Sequence, residues 1–285
     1  MTGFGSKVLR TAMIVLGLVT LAACSRVEFV YDRADWFVAR WAANYLDLER
    51  VQRNQLRDEI ATYRTFHREV RVPQIRALLR DVIEDLEAGR HDRAHILSHF
   101  EAAQLLAEDL GDDLLPLVSD VLADLKPEQQ ARLREQFEER REELEKSWVD
   151  DKEENSLDAR QKRMRERAED LLGKLSEEQK NLLNEYVAAL PETGQAQLDW
   201  ETDRQNRLLA LLEQDASPGA VDEYLRGWWF EFKDQPANLR EARAKRRDLT
   251  LDYLARLLPT LDESQTRKLV KRLESHASDL ERLLE

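Results

Sequence analysis

Four times in this chain a leucine is followed four residues later by a glutamine, and four residues after that by a second leucine. The copies run Leu48 to Leu56, Leu125 to Leu133, Leu175 to Leu183 and Leu261 to Leu269. The last three begin Leu125-Lys-Pro-Glu-Gln129, Leu175-Ser-Glu-Glu-Gln179 and Leu261-Asp-Glu-Ser-Gln265. Each reads as a chain break followed by a helix start. Ser176 and Asp262 are natural N-caps, Pro127 suits a first turn, and the acidic residues favour the positive end of a helix dipole. The two leucines can close a hydrophobic staple across the cap. The glutamine, on the first turn, can hydrogen-bond the preceding loop. A chain that restarts helices in this way is restricted to helical architectures.

The apolar periodicity agrees. Phe37, Trp41, Tyr45 and Leu48 recur at i, i+4, i+8 and i+11 and form one stripe. It is expected to pack into a helical core; the alternative is the bilayer interface, where Trp and Tyr are favoured. Asp35 is a plausible cap for this helix, which should continue through Gln52 and Tyr63 toward His67 until Pro73 interrupts it. Ile75, Leu78, Leu79, Val82, Ile83 and Leu86 make the cleanest amphipathic pattern, closed by Gly89. Asp92 should cap a helix ending near Leu110, before Gly111-Asp112-Asp113. A short helix is then expected from Pro116 to Leu125, and a longer one from Pro127 carrying Leu133, Phe137, Leu144 and Trp148. Asp150 to Asn155 is the most polar stretch and the best candidate boundary. Beyond it, helices are expected near 157–174, 176–190, 195–214, 218–233, 237–258 and 262–284, bounded by glycines and prolines. No segment alternates with period two.

The expected fold is therefore all-α, an elongated multi-helix bundle of roughly ten amphipathic helices. It forms one or two lobes, with residues 24–150 and 151–285 as the division. Leu157-Asp158-Ala159-Arg160-Gln161-Lys162-Arg163 and Leu239-Arg240-Glu241-Ala242-Arg243-Ala244-Lys245-Arg246 each lie one helix ahead of a Leu-x-x-x-Gln copy, which points to a degenerate helical repeat.

The N-terminus sets the compartment. Lys7 and Arg10 form a basic n-region, and Thr11 to Ala23 is an apolar run ending in small residues, the layout of a secretory signal. The run is shorter than the ~20 residues a spanning helix needs. Leu21-Ala22-Ala23-Cys24 holds the chain's only cysteine and resembles a bacterial lipobox. The resemblance implies cleavage after residue 23, with lipidation and N-acylation of Cys24. Three acyl chains at ~0.8 kcal/mol per buried methylene amount to a permanent anchor. Ser25, not an aspartate, follows the cysteine, and in lipoproteins of this kind that implies the periplasmic face of the outer membrane. Losing Lys7 and Arg10 takes the net charge from −13 to −15. A lone cysteine leaves no intramolecular disulfide.

Composition excludes several functions. Charged residues are 35% and hydrophobic ones 42%, so the chain is not of a disordered type. The acidic balance argues against nucleic acid as a partner. Six glycines in the mature chain leave no Gly-rich phosphate loop. Gly-x-Ser-x-Gly, Ser-x-x-Lys and His-Glu-x-x-His are all missing. Neither an enzyme nor a cofactor is expected.

Two clusters are the candidate sites. His91, His95 and His99 are spaced i, i+4, i+8, and a histidine pair at i, i+4 can share zinc or copper, so they are the candidate metal ligands. An Asp92 cap would leave His91 outside the helix. Trp228-Trp229-Phe230, with Tyr224 and Phe232, is the densest aromatic patch and suits either a packed core or a groove for a hydrophobic partner.

The Leu-x-x-x-Gln starts resemble the Leu-Thr-x-x-Gln motif of Spy-type periplasmic chaperones, although position two here is Lys, Ser or Asp. That likeness implies a helical cradle for unfolded clients, with Gln129, Gln179 and Gln265 beside the client. The lipobox, Tyr31, Asp35-Trp36, Trp41, Tyr45-Leu46-Asp47-Leu48 and Gln52 resemble a family of uncharacterised proteobacterial helical lipoproteins. The second resemblance covers the whole mature chain and implies fold and location only. The resulting expectation is an outer-membrane-anchored periplasmic lipoprotein. It would bind an envelope protein or an unfolded client without chemical turnover, as an adaptor or chaperone-like module. The alternative is a metal-binding or metal-sensing lipoprotein using the histidine face.

Overall fold

The computed structural model describes residues 31–150, 153 and 155–285. The expected signal segment and Cys24 lie outside the described residues. Among those described, every regular element is helical. They are α1 (Ala34–Leu46), α2 (Arg50–Phe66), α3 (Val72–Ala88), α4 (Arg93–Ala123), α5 (Pro127–Glu145), α6 (Leu157–Leu172), α7 (Glu177–Ala189), α8 (Gly194–Leu212), α9 (Pro218–Trp229), α10 (Ala237–Leu257) and α11 (Glu263–Arg282). The fold is an all-α multi-helix bundle.

The boundaries follow local chemistry. Asp92, Ser156, Ser176, Ser217 and Asp262 each accept a backbone N–H from the first turn they precede, satisfying donors that would otherwise lack partners. Gly89 ends α3 at φ +70°, a conformation a side chain would strain. Asp47 ends α1 in the same left-handed region, at φ 53°.

Two expected breaks do not occur. The chain does not stop at Pro73 but passes from α2 to α3 through a π-turn, His67–Arg71. There the Val72 N–H donates to the His67 carbonyl, five residues back, and the wider turn accommodates the proline at the start of α3. Likewise α4 runs 31 residues through Gly111 and Pro116. Gly111 is there for close approach. A Cβ on it would lie 2.0 Å from Phe230 Cζ, so the ring packs directly on the α4 backbone. Pro116 and Asp112 are both exposed, so water can reach the carbonyl that the proline cannot serve.

Helix α4 is the long element of the bundle, contacted by α2, α3, α9 and α10. The largest core joins Ala39, Ala42 and Leu46 of α1, Leu56 and Ile60 of α2, Leu115 and Leu122 of α4, and Leu133 of α5. The same core takes in Leu208, Leu209 and Leu212 of α8 and Val221 and Leu225 of α9. A second core gathers Leu172, Leu175, Leu183, Val187 and Leu257. A third sets Val72 of α3 against Leu280 and Leu283 at the end of α11. Helices from both sides of residue 150 thus share the largest core, and the last helix packs on α3. The expected division into 24–150 and 151–285 does not separate two cores. Each fully buried leucine or valine contributes roughly 1.5–3 kcal/mol.

Candidate functional site

The four Leu-x-x-x-Gln copies meet in two pairs. At each one the glutamine Oε1 accepts the backbone N–H of its own N-cap residue. Gln52 accepts from Glu49 at 2.9 Å, Gln129 from Lys126 at 3.0 Å, Gln179 from Ser176 at 3.0 Å and Gln265 from Asp262 at 3.1 Å. The Nε2 then reaches across to the other copy. Gln52 and Gln129 exchange amide hydrogen bonds at 3.2 and 2.8 Å, and Gln179 and Gln265 do so at 2.8 and 2.9 Å.

Each Nε2 also donates to the carbonyl two residues before the partner's cap: Gln52 to Asp124, Gln129 to Asp47, Gln179 to Thr260 and Gln265 to Lys174. The result is two quasi-two-fold clasps of identical wiring, each holding two helix N-termini together. Gln129, Gln179 and Gln265 are buried, with Gln179 only 1% exposed. Their polar atoms are satisfied internally, which is the condition for burying an amide without penalty. These glutamines thus bond the residue that precedes their own helix, as expected, and in addition the loop of the paired copy, which was not expected. Gln129, Gln179 and Gln265 are enclosed in this way, with Gln52 half-buried beside them.

The aromatic patch is a joint. Trp228, Trp229 and Phe230 pack against the largest core, and the Phe230 ring covers Gly111. The Tyr224 hydroxyl donates to the Arg204 carbonyl at 2.6 Å. Phe232 stacks on Trp200 at 6.3 Å, with the Arg243 guanidinium 3.7 Å over its ring. Burial lowers the pKa of Arg243. The patch fastens α9 to α4 and α8, with its rings half-buried.

The three histidines do not converge. His91 Nε2 lies 3.3 Å from the Leu86 carbonyl, His95 Nδ1 2.6 Å from Asp92, and His99 Nε2 2.7 Å from Asp85. Asp92 caps α4, so His91 stands outside the helix as the cap predicts, and each ring turns to a different neighbour. Arg90 and His99 together hold the Asp85 carboxyl below the usual carboxylate range. Among the described residues no group of three His, Cys, Asp or Glu side chains is placed to hold a metal ion.

Sequence reasoning missed the most perturbed polar cluster, at the π-turn. His67 is buried, its Nδ1 is 2.9 Å from the Tyr31 hydroxyl, and burial pushes its pKa down to about 4. Burial raises the neighbouring Tyr63 phenol, whose buried hydroxyl has no hydrogen-bond partner. Arg71 grips Asp113 through two bonds, at 2.6 and 2.9 Å, and Asp109 through a third at 2.7 Å. The hydrogen bonds to Asp113 raise the arginine pKa further. The histidine is isolated in sequence, so nothing but tertiary contact could have found this cluster.

Two surfaces carry exposed apolar side chains. On α1, Trp36 (47%), Phe37 (42%) and Trp41 (55%) face outward, while Leu48 is buried and Tyr45 half-buried. The expected stripe is thus split between surface and core. On α4, every residue from Phe100 to Ala107 except Leu106 is exposed, and six of the eight are apolar, with Leu105 at 64%. Two shallow depressions, one along a face of α2 and one between α5 and α8, are open to solvent.

These features define a class, a helical protein whose helix starts are clasped in pairs by glutamines. The chain belongs to the family of unknown function DUF6279, whose family model matches residues 44–226. That match takes in the Gln52–Gln129 clasp and ends before Gln265. No curated protein and no solved structure matches the chain.

Proposed function

We propose that this protein is a lipid-anchored envelope protein, held through Cys24 to the periplasmic face of the outer membrane. Its body is a non-catalytic protein-binding module. The lipobox Leu21-Ala22-Ala23-Cys24 supports the location. The observation that carries the binding role is the bare apolar segment of α4, Phe100 to Ala107. Contiguous exposed apolar surface on a folded protein marks an interaction site. The clasped helix starts support it further by holding this segment on a rigid body, which lowers the ordering cost of association. The mechanism is burial of an apolar segment of an envelope protein against this part of α4, with no bond made or broken.

In-cell photocrosslinking from position 105 of the lipidated protein tests the reading. One dominant adduct identifies an adaptor, and a broad set of unfolded envelope proteins identifies a client-holding module. Absence of protein adducts at 105 and at 100 contradicts the binding role.

A further inference from the structure

We propose that the outward face of α1 lies in the interfacial layer of the bilayer that carries the lipid anchor, so that α1 is a second, non-covalent membrane contact. The inference rests on the lipidation of Cys24 proposed above. The structural observation is an inverted helix. An amphipathic helix ordinarily turns its large apolar residues to the core. Here Ala39 and Ala42 face inward with Leu46, while Trp36, Phe37 and Trp41 face outward. Arg40 shares the outer face, its guanidinium 5.5 Å over the Trp36 ring, and Trp41 stacks on Tyr45 at 5.2 Å.

Charge identifies the occupant. From Trp36 to Leu46 there is no acidic residue and one arginine, in a chain that carries 57 acids against 44 lysines and arginines. The two acids flanking the N-terminal end are turned to partners on α2 and the π-turn: Asp35 to Arg64 and Asp32 to Arg68. An acid-free face of tryptophans with an arginine that can extend its head to phosphate suits the headgroup layer, where Trp is favoured and basic side chains snorkel. Distance permits the contact. Trp36 lies twelve positions after Cys24, a span of at most ~43 Å.

The test uses the full mature lipoprotein reconstituted in vesicles of phosphatidylethanolamine and phosphatidylglycerol, with a fraction of the lipid brominated at shallow acyl positions. The proposal expects brominated lipid to quench wild-type tryptophan emission. In W36F/W41F, which keeps the four other tryptophans, that quenching is lost. Deuterium uptake over 34–46 should also fall when vesicles are present. Equal quenching in the two proteins, with an acylated N-terminal peptide in the mass spectrum, overturns the α1 contact and leaves the anchor standing. An unacylated N-terminal peptide overturns the anchor, and the membrane occupant of α1 with it. A dimer in detergent solution that W36F/W41F abolishes assigns the face to a second copy of the chain and also overturns the proposal.

Discussion

A single buried amide organises a large part of this fold. Gln179 bonds Ser176, Thr260 and Gln265 at once, and leucine in its place fits the volume while leaving the Ser176 N–H and the Thr260 carbonyl without this partner, Gln265 keeping its bonds to Asp262 and Lys174. Unsatisfied buried groups cost about 1–3 kcal/mol each, so Gln179→Leu should lose about 3 kcal/mol in urea unfolding. Gln265→Leu should lose a similar amount. The double variant should lose clearly less than the sum, because the two side chains share one network.

His67 provides a pH signature. Its pKa falls from the ordinary 6.5 to about 4 on folding, because burial disfavours the imidazolium. The unfolded chain therefore binds a proton that the folded one refuses between pH 6.5 and pH 4. Stability from this group is complete above pH 6.5 and drains away as pH drops to about 4, by roughly 3 kcal/mol in all. Unfolding midpoints for wild type and His67→Phe across that window check it: the variant's slope should be shallower. At this scale the motif was legible and its pairing was not. The partners lie 77 and 86 residues apart, and a helix start carries no mark of which other start it meets.

Helix ends were largely readable, because caps and left-handed residues act through their nearest neighbours. The errors came where a distant element overrode a local signal. Gly111 and Pro116 read as breaks, yet α4 passes through both, since the glycine is the bed of the Phe230 ring. Gly111→Ala should improve local helix propensity and still destabilise the protein by about 1–3 kcal/mol, the usual range for overpacking. Adding Phe230→Leu to Gly111→Ala should recover part of that loss, measured by thermal or urea unfolding. A purely local role for the glycine predicts stabilisation instead.

Across the whole molecule, the polar stretch Asp150 to Asn155 looked like a domain boundary, but polarity marks an exposed crossing and does not tell whether helices on its two sides pack together. The largest core needs Leu208, Leu209, Leu212, Val221 and Leu225 from beyond it. A fragment covering residues 24–150 should therefore lack a cooperative unfolding transition, whereas residues 24–285 should show one. The exposed segment of α4 and the outward tryptophans of α1 were also out of reach of periodicity alone, which finds a stripe without saying whether a neighbour covers it. Both functional proposals rest on the anchoring of this body to a membrane through Cys24. The most direct measurement is the mass of the N-terminal peptide of the protein isolated from the envelope of cells expressing the complete chain. The account predicts a chain beginning at Cys24 and carrying a diacylglycerol thioether and an amide-linked acyl chain. An unmodified peptide, or one beginning at another residue, would contradict it.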